Sequence, residues 1–577
     1  MGNLCSPPRY FVEAWATHVA GRNGCGNVHH LLGPISAPVS CVAALPMSAV
    51  RRPSAALDKE IGGGSVRHAA RRAFAVALTV TSFAAGVEPK AGPTGGGTRE
   101  QPQPEPPTHM VERDRRLGPV RDDPAYSRAA LEMLGVLSIG VAQYWANAGG
   151  NSQDWDFPHW SDRLSARAVR FDNNTQVTNN VLHPLAGAAY YGLARANGLG
   201  VGGAALYSAV SSASWEWLLE WREKVSINDL VTTTMGGIAA GEFLVQLASY
   251  LNSAPTETNL GQDVAKTTLG FPVWIHDQID NRRPDPTPAS DNLGFSSEYY
   301  HRFSLGYQNA WLDNAAEVQQ RVGGFVLDAR LVSLPGYLDP ETFQTVFAQG
   351  NFTSGSLEMQ FDGDGLRDAE LKFDAVLAGY YAQRARPAVL GVLAGVATGL
   401  EFVSRDTLDR GDQYALVHIL GPELGSTWKW RDYQLDLRAR AYGDFAAIRS
   451  LAWPEVRSAN PTAVYKSSLE RQYQYHFGIA ARLAGELRLH AAVLFGELGW
   501  GSYRSIQGFD RFQEAITRDP AGREVLDEHR LGLALEPPGT PLRFFSALEG
   551  YKHESALGGQ VARRQERRLA IGAGLVF

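Results

Sequence analysis

The strongest constraint on the fold is a strict alternation of side chains that ends at the last residue of the chain. In the final segment the odd-numbered residues are Leu569, Ile571, Ala573, Leu575 and Phe577. The residues between them are Ala570, Gly572, Gly574 and Val576. Because a β-strand points successive side chains to opposite faces, this pattern predicts a strand with one continuous apolar face.

The same period-two alternation extends upstream to about Ser296. The clearest runs are 302–307, 325–331, 357–362, 370–377, 432–441, 473–483 and 487–495. One face of each run is apolar and the other is mostly polar or charged, as in strands that separate lipid from a polar lumen. About nine to eleven residues let a tilted strand cross a membrane. We therefore predict an antiparallel transmembrane β-barrel over residues 296–577, with roughly twelve strands and ten or fourteen as alternatives.

A soluble β-sandwich would also alternate, but its polar face would meet water on the outside. Two observations favour the barrel. Aromatic residues stand at strand ends, as at Tyr433, Tyr473 and Trp500, and short turns alternate with long loops at 446–467 and 504–522.

The strand that ends in Phe577 resembles the closing strand of bacterial outer-membrane β-barrels. This resemblance implies a place in the outer membrane, contact with its lipids, and recognition of the terminal strand by the barrel-assembly machinery. The net charge of −6 gives no basic field, so we expect no nucleic-acid partner. The sequence also lacks a run of about 18 apolar residues that would mark an inner-membrane helix.

The beginning of the chain does not have the composition of a folded domain. Residues 1–65 show no periodicity, whereas 66–86 combine a basic start, a short apolar run and small residues, as an export signal does. We predict that translation starts near Val66 and that the upstream extension is mis-annotated. The alternative is a genuine extension with an apolar helix at 73–85. Residues 87–118 are rich in Pro, Gly and charge, which predicts a disordered linker.

The three cysteines are Cys5, Cys25 and Cys41. Removal of the predicted signal peptide would leave a chain without cysteine, which suits export to the oxidising Gram-negative periplasm. Cysteine nucleophiles and cysteine-ligated metals are then excluded from the mature protein.

Residues 119–260 predict a helical periplasmic domain, followed by a linker over 261–295. The run 129–145 is apolar but short and contains Glu132 and Gln143, so we expect a buried or interfacial helix rather than a membrane span. A later helix starts at Ser226, where Ser226 and Asp229 have the spacing of a capping box.

Several short motifs lie along this helical region. They are Asn180-Val-Leu-His183-Pro184, Gly187, Tyr190-Tyr191, Ser214-Trp215-Glu216, Glu220, Ser226-Ile227-Asn228-Asp229, Gly236-Gly237 and Gly241-Glu242. Together they resemble the bacterial domain of unknown function numbered 3943, over about residues 150–260. The resemblance implies a Gram-negative envelope protein and supplies no activity.

Five polar residues of the helical domain are candidates for a catalytic site. They are His183, Glu216, Glu220, Asp229 and Glu242. A histidine with several carboxylates can bind a divalent metal or perform acid–base catalysis. A structural role is the favoured alternative. Glu216 and Glu220 would then pair with Arg195 or Arg222, while His183 and Asp229 would cap helices and Glu242 would face solvent. On this interpretation we expect neither a metal nor a cofactor.

The predicted lumen carries charges of both signs. The candidate lumenal binding residues are Asp432, Asp436, Arg438, Arg440, Arg482 and Arg488. We expect them to form salt bridges, with a polar pore as the alternative. A barrel hydrolase would need a nucleophile beside His476 or His490, and no spacing identifies one.

The sequence thus predicts an α+β multidomain protein with a helical N-terminal domain and a C-terminal transmembrane β-barrel. The expected role is a non-enzymatic channel or envelope scaffold in the outer membrane, with the helical domain on the periplasmic side or in the lumen. The helical domain would plug the barrel, rest against it, or bind another envelope component. The alternative is a metal-dependent or acid–base hydrolase with its site in the helical domain.

Overall fold

The computed structural model describes residues 123–146, 155–254, 258–282, 290–314, 318–408 and 411–577. The predicted extension, signal peptide and disordered linker lie outside these described residues.

The first part of the described chain is helical. Its helices are α1 (Tyr126–Ala146), α2 (Trp160–Leu164), α3 (His183–Ala196), α4 (Val201–Ser214), α5 (Ile227–Val231), α6 (Gly237–Asn252), α7 (Leu260–Thr268) and α8 (Phe271–Ile279). Single π-helical turns at Thr178–Leu182, Trp215–Leu219 and Thr232–Gly236 connect to them. A two-stranded parallel sheet pairs β1 (Val169–Arg170) with β2 (Val225–Ser226). Helices α7 and α8 occupy the stretch that the sequence assigned to a linker.

Helices α3 and α6 approach each other closely because glycines face each other where they cross. A β-carbon on Gly187 would lie 1.7 Å from the carbonyl oxygen of Thr233, and one on Gly237 would lie 2.6 Å from the Cα of Gly187. Only glycine, which has no β-carbon, allows this contact.

The C-terminal half is one closed antiparallel sheet. Its strands are β3 (Tyr300–Asn314), β4 (Gln319–Val332), β5 (Phe343–Phe347), β6 (Phe352–Asp362), β7 (Gly365–Arg384), β8 (Val389–Arg405), β9 (Asp412–Trp430), β10 (Tyr433–Arg449), β11 (Tyr473–Leu489), β12 (Ala492–Ser505), β13 (Gly522–Leu535), β14 (Leu542–Leu557) and β15 (Gln560–Val576). The short β5 and β6 pair with successive parts of β7, so the barrel has twelve strands. The terminal strand β15 closes it against β3, and Phe577 exchanges backbone hydrogen bonds with Phe303. The predicted fold is confirmed.

The two ends of the barrel differ. We call the end with Tyr300 and Phe577 the terminal rim, and the opposite end, with segments 450–472 and 506–521, the loop rim. At the terminal rim, segment 333–342 packs Leu334, Tyr337 and Leu338 into the lumen. At the loop rim, segment 450–472 forms α9 (Trp453–Ala459) and α10 (Ser467–Glu470), which pack on lumenal residues of the last strands.

Charged side chains also cross the lumen between the two rims. Arg302 donates to Glu486 at 2.7 Å and Lys372 reaches Glu528 at 3.8 Å, each pair joining strands from opposite parts of the barrel. The lumen is therefore cross-linked by ion pairs over the described strands.

The helical region packs against the outer wall of the barrel. On β7, Lys372 and Asp374 face the lumen, whereas Phe373 between them points outward and contacts Phe243 of α6, with ring centroids 5.4 Å apart. On the outward face of β10, Phe445 contacts Phe171 in the same way at 6.2 Å. The helical region thus rests against the barrel and does not plug its lumen, because outward apolar side chains of the strands supply the packing surface.

No apolar run long enough for a membrane helix was expected from the sequence, but two helical stretches, Tyr126–Ala146 and Ile227–Asn252, have the length and apolar composition of a membrane span. In the first, 17% of the apolar window is buried within the protein, and in the second, 72%. The second is thus largely a core element of the helical region.

Candidate functional site

Four of the five candidate residues converge between the helical region and the barrel wall. The centre also contains two residues that the sequence analysis did not select. We call the set the acidic centre; its members are Asp172, His183, Glu216, Glu220, Glu223 and Asp229. One donor atom from each of Asp172, His183 and Asp229 lies within 4.8 Å of the others, and His183 Nε2 is 3.7 Å from Asp229 Oδ1.

Local hydrogen bonds fix the carboxylates in place. At the start of α5, the Ser226 hydroxyl accepts from the backbone N–H of Asp229 at 3.3 Å, which confirms this part of the predicted capping box. The backbone N–H of Ser226 donates to Glu216 at 2.8 Å. Asn228 accepts from the N–H of Asp172 at 2.6 Å and donates to Asp229 at 2.7 Å. The short β1–β2 sheet thereby holds together acids that are distant in sequence.

The acidic centre contains more carboxylates than cations. Arg170 pairs with Glu223 at 2.6 Å and lies 3.6 Å from Asp172. Arg163 is fully buried, but it donates to the main-chain carbonyls of residues 216, 217 and 223 rather than to a carboxylate.

Glu216, Glu220 and Asp229 have no lysine or arginine partner within salt-bridge distance among the described residues. Glu216 and Asp229 are 2% and 3% exposed. Buried anions of this kind are costly unless a cation compensates them.

The centre opens to the protein surface at His183. Its side chain is 23% exposed, against 5% for Asp229. His183 does not cap a helix as expected, because the chain is already helical through the π turn Thr178–Leu182 before α3 begins. The imidazole is therefore available as a ligand rather than committed to a helix end.

Glu242, the fifth candidate, belongs to a separate site. It is fully buried and accepts from Arg195 Nε at 2.9 Å and Nη2 at 3.0 Å, so it neither faces solvent nor joins the acidic centre. In the continuous helix it lies 13 residues beyond Asp229, about 20 Å along the axis. Arg195 is thereby removed as the expected partner of Glu216 and Glu220.

Arg222, the other expected partner, stacks on aromatic rings. Its guanidinium lies 3.3 Å from the ring centroid of Trp145 and 4.1 Å from that of Trp155. The predicted salt bridges to Glu216 and Glu220 are therefore wrong.

Five of the six lumenal candidates lie in ion pairs. Their closest partners are Arg330 for Asp436 (3.9 Å), Glu423 for Arg438 (3.4 Å), Asp374 for Arg440 (2.8 Å), Glu401 for Arg482, and Glu536 for Arg488 (2.5 Å). Asp432 is different, since it lies in the turn at the terminal rim with its side chain 77% exposed. A cavity of about 360 Å³ remains among these lumenal charges.

The two candidate histidines of the barrel lie at opposite ends of β11. His476 is fully buried near the loop rim, whereas His490 is exposed just beyond the other end. A lumenal triad that sequence analysis missed joins His553 to Asp412 and Glu524, each at 2.9 Å. The only sequence signal for this triad is that His553 lies at a lumen-facing position of β14. Half of the residues of that strand do so, because alternate side chains face the lumen.

Asp172 and Glu223 were missed because they lie in short loops with no helical or strand period. Their only signal is chain position, just after β1 and just before β2. The pairing of β1 with β2 brings them together, and a two-residue strand leaves no readable pattern.

Comparisons with known proteins address both halves of the chain. Residues 168–272 match the family model described as Domain of unknown function (DUF3943). This match contains the whole acidic centre, Glu242 and the helices that carry them. No curated protein sequence matches the chain.

Among solved structures, the chain is similar to outer-membrane barrels. A loop L8 deletion mutant of OmpT from Vibrio cholerae shares 9% identity over 49% of this chain and 100% of its own, with a TM-score of 0.19. The translocator domain of autotransporter NalP from Neisseria meningitidis shares 11% identity over 48% of this chain and 88% of its own, with a TM-score of 0.18. OpdK of Pseudomonas aeruginosa with vanillate shares 10% identity over 48% of this chain and 99% of its own, with a TM-score of 0.16. The closed sheet and its apolar outer face are those of an outer-membrane β-barrel.

Proposed function

We propose that this protein is an outer-membrane β-barrel that holds a divalent metal at its acidic centre and uses it for hydrolysis. One observation carries the proposal: Asp172, His183 and Asp229 present donor atoms within 4.8 Å of one another, with both aspartates buried and further carboxylates beside them. A bound cation would compensate charges that the chain itself leaves uncompensated.

The donor set favours a transition metal over calcium or magnesium. Calcium and magnesium prefer sites made only of oxygen, whereas an imidazole with carboxylates suits Zn²⁺ or Mn²⁺. Two ligands about 2.1 Å from a tetrahedral metal are about 3.4 Å apart. The 3.7 Å between His183 Nε2 and Asp229 Oδ1 needs only a small inward shift.

The additional acids around this donor set supply the proton acceptor and the orienting group that hydrolysis needs. A divalent metal lowers the pKa of a bound water, which makes hydroxide available near neutral pH. In the proposed roles Asp172, His183 and Asp229 are the ligands. Glu220, which is partly exposed beside them, accepts the proton, while Glu216 is held by the Ser226 N–H and orients the site.

The barrel serves in this proposal as the membrane platform. We disfavour the channel interpretation because segment 333–342 packs into the lumen at one rim, α9 and α10 pack on lumenal side chains at the other, and ion pairs cross the lumen between them. We propose further that the assembly machinery recognises the terminal strand, whose outward apolar face ends at Phe577.

Metal analysis of the full chain, purified from outer membranes without chelators, tests the proposal. We expect about one Zn²⁺ or Mn²⁺ per chain, and a large loss of metal in the Asp172→Asn/Asp229→Asn double variant. The Asp432→Asn/His490→Ala variant is the matched control, since it removes an exposed Asp–His pair 3.7 Å apart at the terminal rim.

Heat-dependent gel mobility shows in parallel that each variant is a folded barrel. Turnover of chromogenic ester and phosphodiester substrates should be lost together with the metal. A wild-type chain that neither contains nor takes up metal would refute the proposal, and metal without turnover would remove its hydrolytic part.

A further inference from the structure

The helical region extends along the barrel wall from one rim to the other. Near the terminal rim, Arg195 donates to the carbonyl of Gln349 at 3.1 Å. Near the loop rim, Phe171 donates its N–H to the carbonyl of Phe509 at 2.6 Å, and Arg511 pairs with Asp156 at 3.1 Å. Lipid would otherwise cover this part of the outer wall. The helical region therefore stands at the height of the bilayer.

Helix α1 forms part of the outer surface of this region, and its polarity is inverted. A surface helix in water turns its charges outward and its apolar stripe toward the core. In α1 the two charged residues point inward: Arg128 donates to Asp280 at 2.7 Å and Glu132 contacts His276 at 2.8 Å.

The outward face of α1 has no charged side chain. Leu131, Leu134 and Ile139 are 68%, 59% and 70% exposed. The hydroxyl of Ser138 donates back to the carbonyl of Leu134 at 2.7 Å, so the exposed serine also satisfies its polar group within the helix. An isolated exposed leucine needs no explanation, but a continuous uncharged face does.

The neighbouring helix α4 continues this surface. It contains no charged residue, exposes Leu206 and Val210, and connects to α1 where the Tyr207 hydroxyl donates to the carbonyl of Tyr126 at 3.0 Å. Leu218 in the following π turn is also exposed. The barrel belt beyond the helical region is apolar as well, with Leu498 on β12 57% exposed.

The dimensions of α1 match a bilayer. It has 21 residues, a length of about 31 Å, against about 30 Å of hydrocarbon. Its ends carry Tyr126 and Trp145, and Trp145 lies in a cluster with Trp155 and Trp221, with ring centroids 6.4 Å from each. Tyrosine and tryptophan concentrate at membrane–water interfaces.

We propose that the helical region is embedded in the outer membrane beside the barrel, with the exposed faces of α1 and α4 in contact with lipid acyl chains. The apolar faces of the helices and of the free strands then form one continuous lipid-facing surface. Helices satisfy their own backbone hydrogen bonds, so they can stand in hydrocarbon next to a closed barrel.

Site-specific fluorescence quenching tests this proposal. Single cysteines are introduced as Leu134→Cys and Ile139→Cys into the full chain, with Cys5, Cys25 and Cys41 replaced by Ser, and labelled with an environment-sensitive dye. Leu498→Cys on the free belt is the lipid-facing control, and Glu514→Cys in segment 506–521 is the water-facing control. The labelled proteins are reconstituted in phosphatidylcholine vesicles with or without doxyl-labelled acyl chains.

We expect the two α1 labels to be quenched by doxyl lipid within twofold of the Leu498→Cys label and to be little affected by aqueous iodide. Quenching by iodide like that of Glu514→Cys would overturn the proposal. Protection from both quenchers would also overturn it, since a second copy of the chain would then cover the face. Gel mobility with and without boiling verifies that each labelled barrel is folded.

Discussion

The barrel lumen and the acidic centre are both buried and rich in charge, but they balance charge differently. In the lumen, Glu423 forms ion pairs with both Arg438 and Arg440, and Glu401 forms ion pairs with both Lys372 and Arg482. In the acidic centre, Glu216 and Asp229 have no such partner among the described residues. A balanced network is sufficient for a structural role, whereas a surplus of one sign is the observation that supports the proposed cation site.

The pair Arg195–Glu242 shows that the helical region can also balance charge. Both side chains are 0% exposed and they are joined by two hydrogen bonds. The surplus at the acidic centre is therefore a local property and not a general feature of these helices.

Breaking the balanced network of lumenal ion pairs should have the largest effect on the free energy of unfolding. Arg440→Met removes the partner of Asp374 and one of the two partners of Glu423, and leaves buried carboxylate charge behind. We expect a loss of about 3–5 kcal/mol in the free energy of unfolding, measured by guanidinium denaturation in detergent. The exposed Arg504→Met should change it by less than about 0.5 kcal/mol. Equal effects of the two variants would show that the lumenal pairs carry no special stability.

Metal should stabilise the protein only through the acidic centre. At a free metal concentration of one hundred times the Kd, the expected stabilisation is about 2.7 kcal/mol, seen as a higher Tm that EDTA reverses. The Asp172→Asn/Asp229→Asn variant should not respond, whereas Arg440→Met should respond as the wild type does. A response that survives in the double variant would place the metal elsewhere.

Acid should weaken metal binding. His183 and the carboxylates coordinate in their deprotonated forms, and the ordinary pKa of histidine is about 6.5. Below about pH 6 we expect affinity to fall roughly tenfold per pH unit for each proton that must leave, because protons then compete with the metal. Titration calorimetry between pH 4 and 8 measures this, and a profile that stays flat over the whole range would refute coordination by His183 and the carboxylates.

The smallest expected effect is the change in the free energy of unfolding when a single carboxylate is neutralised. We expect this change to have opposite signs in the two regions. In metal-free protein, Asp229→Asn removes one of several mutually repelling charges, so we expect a gain of roughly 1 kcal/mol in the free energy of unfolding. In the lumen, Glu423→Gln should lower that free energy, since Arg438 and Arg440 lose their shared partner. Thermal unfolding with EDTA compares the two, and a destabilised Asp229→Asn would refute the charge surplus.

Strand prediction succeeded where the two faces of a strand differ in polarity. Strands β4, β10 and β11 showed their alternation because one face meets charges and the other is apolar. Strand β8 was not among the clear runs. Its outward Leu400 is covered by the helical region, and its inward Leu393 and Ala397 pack in the lumenal apolar cluster. A strand that is apolar on both faces has no alternation to detect.

The candidate site was predicted in part for a related reason. Helical spacing placed Glu216 and Glu220 together, and capping chemistry marked Ser226 and Asp229. Neither signal could separate Glu242 from the others, because its place depends on Arg195 from another helix. Nor could they include Asp172, which the side chain of Asn228 fixes 56 residues away in sequence.

The sequence by itself determined the barrel, its closing strand and its approximate strand number. These follow from a local rule, since each residue's face in a strand depends only on its parity. Only the tertiary structure decided that the helices lie on the outer wall and that their acids meet at one point. Those features depend on contacts between distant segments, for which outward residues on strands from β3 to β11 supply the packing surface, and no local period encodes them.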